Sequence, residues 1–145
     1  MTEERAIQGT THPMNLKQGL LALSLEERLT YDPAENLFFV NFEGYSVNTS
    51  RQIEEIREAV TRILTPVGRK VYTIVNYDNF TLAPDLVEEY TEMVKDVVNR
   101  FYTGVSRYTT SAFLRMKLGD ALKKRDVAPY IFESREKARR AIGKE

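Results

Sequence analysis

Chemistry along this chain can come from only a few places, and the first is the stretch "NYDNFTLAPDL". Asp78, Asn79, Thr81 and Asp85 gather there, between a β-branched run and Pro84, which sits where a helix opens. The carboxyl end of a strand facing a helix start is where open α/β sheets place ligands. The same residues also suit plain structure: Asp78, Asn79 or Thr81 can cap the turn and Asp85 can complement the helix dipole. The functional alternative is a partner or regulatory surface on that helix start. The second place is Arg107, Tyr108, Thr109, Thr110 and Ser111, hydroxyl-rich and locally positive, again at a strand end and helix start. Such a spot can hold a carboxylate or phosphate. The cations that follow, Arg115, Lys117, Lys123, Lys124 and Arg125, fit a solvated helix face equally well.

Other chemistries lack parts. Nucleophilic catalysis needs a base beside a hydroxyl or thiol. The single histidine, His12, lies in a polar arm and reads as solvent-exposed, and the chain has no cysteine. Glu43-Gly44 offers a carboxylate beside a pliant backbone, but a lone carboxylate is no catalytic set, and a glycine turn explains the pair. Neither metal-ligand spacings nor phosphate-cradling glycine fingerprints occur. No catalytic residue, metal or cofactor is therefore expected.

The elements that must position these residues follow from periodicity. Residues 1–23 are polar and weakly periodic and read as a flexible or loosely docked arm; 24–145 read as one α/β domain. Arg28–Tyr31 and Leu37–Phe42 form a hairpin around Asp32-Pro33-Ala34-Glu35-Asn36. Thr49 and Gln52 make a capping box for a helix over 50–65, with Ile53, Ile56, Val60, Ile63 and Leu64 on one face. Pro66 and Gly68 end it. Lys70–Asn76 is the next strand, 84–102 a second helix, and Val105–Thr109 a short strand. Ser111 caps a helix over 112–125, "VAPYIF" reads as a last strand, and Ser134 caps a final helix. After the hairpin, strands and helices alternate, which predicts a mixed, mostly parallel sheet with helices packed against it.

Lys plus Arg equals Asp plus Glu at 21 each, which argues against a nucleic-acid partner. No run of 18 apolar residues suggests a membrane span, and the start lacks the basic-then-apolar pattern of a signal peptide. The expectation is a cytoplasmic protein.

"HPMNLKQGLLALSLEERLTYDPAENLFFVNFEGYSV", "VYTIVNYDNF" and "SRYTTSAFLRMKLGDALKKRDVAPYIFES" carry a resemblance over about residues 12–142. They resemble the carboxyl-terminal extension of bacterial acyl-CoA:acetate/3-ketoacid CoA-transferases. The most distinctive segments are "ERLTYDPAENLFFVNFEG" and "RYTTSAFLRMKLGDAL". The order of elements is similar to the STAS-like fold of anti-sigma-factor antagonists. The resemblance implies a non-catalytic domain acting by association with a CoA-transferase catalytic part or with itself. The glutamate that forms a thioester with CoA belongs to the catalytic halves of those enzymes, and no residue here matches it. The antagonists carry a phosphorylated serine at the helix start after the middle strand. Here "NYDNFTLAPDL" has no serine, and Thr81 is the nearest hydroxyl. Two further readings follow: a binder of small anions such as acyl-CoA or nucleotides, the acyl group entering between helix 84–102 and the sheet, and a phospho-regulated switch at Thr81.

Overall fold

The computed structural model describes residues 23–142. His12 and the expected arm, save its last residue, lie outside them. A 3-10 turn, Glu26–Arg28, leads into β1 (Leu29–Asp32), which pairs antiparallel with β2 (Leu37–Asn41). The reversal is built as the sequence suggests. Asp32 Oδ1 accepts from Ala34 N at 3.0 Å, and Asn36 takes a left-handed φ of 54° that few side chains tolerate. Next come a two-residue strand β3 (Ser46–Val47), helix α1 (Ser50–Leu64) and β4 (Val71–Asn76). Strand β5 (Thr81–Leu82), a 3-10 turn over Pro84–Leu86, helix α2 (Val87–Phe101) and β6 (Tyr102–Tyr108) follow. Helices α3 (Ala112–Lys123) and α4 (Arg135–Arg140) end the described chain.

The main sheet has the order β1-β2-β4-β6, with β2, β4 and β6 parallel. This is the mixed, mostly parallel α/β sheet that the alternation predicts. Both crossovers, β2-α1-β4 and β4-α2-β6, step in one direction, and crossovers share one hand, so both helices fall on the same face. Phe38, Val40, Val71 and Val75 meet Ile53, Ile56, Val60, Tyr90, Met93 and Val97 there. Burying each large apolar chain is worth about 1.5–3 kcal/mol. Among the described residues, the opposite face receives only α4, whose Ala138 packs with Ile74 and Tyr108.

Local signals hold α1 where they predict it. Thr49 accepts from Gln52 N while the Gln52 side chain accepts from Thr49 N, and Gly68 past its end has φ 77°. Ser111 and Ser134 cap α3 and α4. Three expectations need correction. "VAPYIF" is not a strand; it contributes one parallel bridge, Phe132 to Tyr108. Pro129 in its middle removes the donor a strand would need. Strand β6 starts at Tyr102, earlier than 105. The 76–85 turn caps no helix by a side chain, because it is spent on the small parallel β3–β5 pair.

Candidate functional site

The carboxyl ends of β2, β4 and β6 bring both polar clusters together. Thr110 donates to Asp78 Oδ1 from its backbone N at 2.7 Å and from its hydroxyl at 3.1 Å. Asp78 thus ties the end of β4 to the chain leaving β6. The Asp78 carbonyl accepts from Gly44 N at 3.0 Å, linking the turn after β2 as well. Gly44 has φ 70°, the conformation that Glu43-Gly44 suggests for a turn.

The remaining candidates disperse. Asn79, with φ 56°, holds the tight turn in which Phe80 N donates to Tyr77 O. Thr81 is exposed, and its hydroxyl donates to Ser46 Oγ at 2.7 Å. Asp85 is exposed in the 3-10 turn before α2. The five residues 107–111 do not converge on one anion. Arg107 points to the α1–α2 face and is 2% exposed, while Tyr108 points to the α4 face. Thr109 is buried: its N donates to Phe132 O, and its carbonyl accepts from Arg115 at 2.7 Å. Ser111 is taken up as the cap of α3.

Two hollows adjoin the main sheet. Behind the sheet, beside α4, lies a groove of about 420 Å3. Asn41, Glu43, Asn76, Tyr108, Arg135 and Arg139 are among its polar lining residues. Asn76 Nδ2 donates to Asn41 Oδ1 at 3.3 Å and to Glu43 Oε1 at 3.2 Å, so the three form one network. Burial pushes the Tyr108 phenol up, the Arg135 charge pulls it back, and Asp78 and Glu43 push it up again. Sequence reading misses this groove. Asn41 and Asn76 stand in register on neighbouring strands, and asparagine is unusual within strands, which is the one signal available.

Between α2 and the sheet the space is much smaller, a cavity of about 30 Å3 lined by Tyr77, Tyr90, Tyr102 and Arg107 among apolar side chains. No acyl chain fits there. The Tyr77 and Tyr90 hydroxyls share a 2.8 Å hydrogen bond. Burial drives both phenols up, Tyr90 most strongly, so both stay protonated.

Among the described residues, no group of three or more His, Cys, Asp or Glu is arranged to hold a metal, and no helix is long and apolar enough to cross a membrane. The chain matches no family model, no curated protein and no solved structure.

Proposed function

We propose that this domain is a non-catalytic protein-association module, STAS-like in kind, that works beside a CoA-transferase catalytic part. The observation that carries this reading is an apolar surface on α3. Phe113 is 68% exposed and Met116, one turn on, is 56% exposed. Phe113 also lines a hollow of about 170 Å3 in which it, Leu114 and Leu118 face Leu82, Pro84 and Val87. Single exposed apolar residues are ordinary, but a contiguous patch of this kind marks a contact surface. It adjoins the 78–85 segment, where sequence reading places a partner surface. The acyl-CoA resemblance supplies the partner class.

The test mixes the purified domain with purified CoA-transferase catalytic halves and measures complex formation by calorimetry and light scattering. Binding that Phe113→Glu with Met116→Glu weakens about tenfold or more, with folding intact by circular dichroism, supports the reading. No complex at tens of micromolar, or one indifferent to both changes, ends it.

A second reading, small-anion binding, is favoured by the groove behind the sheet, whose Arg135 and Arg139 can meet a carboxylate or phosphate. A thermal-shift screen with CoA, acyl-CoAs and nucleotides separates the two, since any shift should vanish in Arg135→Gln with Arg139→Gln.

A further inference from the structure

Arg107 is a cation inside the apolar core. Its Nη1 donates to Ala128 O at 2.8 Å, and its Nη2 is buried with no hydrogen-bond partner. No carboxylate lies within ion-pair distance of it among the described residues. An uncompensated charge in such a place is strongly disfavoured. Arg107 is also the one charged residue lining the 30 Å3 cavity.

The donor inventory around that cavity points the same way. Tyr77 and Tyr90 have two phenol protons and one mutual hydrogen bond, so one proton is left over. Arg107 Nη2 adds further unclaimed protons. The cavity wall otherwise consists of apolar side chains and Tyr102, itself kept protonated by burial. The site therefore holds a buried positive charge with no countercharge, an Nη2 without a hydrogen-bond partner and one spare phenol proton, and the acceptors its lining side chains supply are the phenol oxygens. The volume admits a water molecule or a single small ion but not an organic ligand.

We propose that this cavity is a binding site for a monovalent anion of halide size, held by Arg107 Nη2 and the spare phenol proton of the Tyr77–Tyr90 pair. The anion supplies the missing countercharge and an acceptor for both unclaimed donors at once. Water supplies only the second. The site is an integral part of the core, and occupancy ties the middle of β6 to α2, independently of any partner on α3.

The experiment compares thermal unfolding in sodium chloride, sodium bromide and sodium gluconate at matched ionic strength. Gluconate is too large for the cavity. Chloride and bromide should raise the midpoint by about 3 °C or more over gluconate, in a saturable way. Arg107→Met, which removes the charge at similar volume, should abolish the difference. A crystal grown in bromide should show an anomalous peak within hydrogen-bond distance of Arg107 Nη2, a measurement that stands even if the variant does not fold. Equal midpoints in all three salts, or a bromide crystal with only water in the cavity, overturn the proposal.

Discussion

The Tyr77–Tyr90 hydrogen bond gives the sharpest test of how the core is assembled. The two hydroxyls meet at 2.8 Å, and the residues are 3% and 1% exposed. Tyr90→Phe removes one partner and leaves the other hydroxyl buried without the bond it makes in the folded core. Stranding a buried polar group costs about 1–3 kcal/mol, and Tyr77→Phe should cost a similar amount. Replacing both partners removes the stranded group as well. The double variant should therefore lose far less than the sum of the single losses, with a coupling of about 1 kcal/mol or more. The assay is urea unfolding of the four proteins in chloride-free gluconate buffer, which keeps the halide site out of the comparison. The slopes should agree, so that midpoints report stability alone. Single losses below about 0.5 kcal/mol that simply add would refute the reasoning, because they would mean that the hydroxyls are solvated or unpaired.

Two pH responses follow. Burial holds the phenols of Tyr77, Tyr90 and Tyr102 above the usual tyrosine range. The unfolded chain releases those protons near pH 10 while the folded one keeps them, so their contribution is intact below about pH 10 and is lost as pH rises further. Phenolate absorbance followed with circular dichroism should show these three ionising together with unfolding; full ionisation with the fold intact would contradict their burial. At the acid end, burial pushes the Asp96 carboxyl up, but hydrogen bonds from Arg100 and Arg57 outweigh it and hold the group below its ordinary value. That contribution is present above about pH 4 and fades as pH falls. Asp96→Asn should cost about 0.5–1 kcal/mol at pH 7, reflecting a half-exposed pair between α1 and α2, and the gap to wild type should narrow toward pH 3. A gap of equal size at both pH values would show that Asp96 acts through packing alone.

Much of the fold is written in short-range signals. The Ile53, Ile56, Val60 and Leu64 spacing gives α1 its buried stripe, and the Thr49–Gln52 box fixes where it starts. The hairpin is legible from Asp32-Pro33 and the apolar run after Asn36. What cannot be read locally depends on pairing. Strands β3 and β5 have two residues each, too few for any periodicity. The 127–132 run looks apolar enough for a strand, but Pro129 leaves it a single bridge. Arg107 reads by type as part of a strand end open to an anion, yet it sits two residues after Val105 and shares its inward face, so strand alternation overrides polarity. The groove behind the sheet arises from Asn41 facing Asn76, a neighbourhood that exists only once β2 and β4 are side by side.

The segment after α3 has a consequence for how this sheet ends. Among the described residues, strand β6 lies at the border of the sheet, and its outer backbone is engaged only near its carboxyl end, where Phe132 N donates to Arg107 O at 2.7 Å and Phe132 O accepts from Thr109 N at 3.0 Å. A bare border strand is a template for adding copies of itself, and proteins guard against that with short or interrupted covers. Residues 127–132 are such a stopper. They occupy the end of the ladder, and the proline within them keeps the cover from becoming a new border that would recruit another chain.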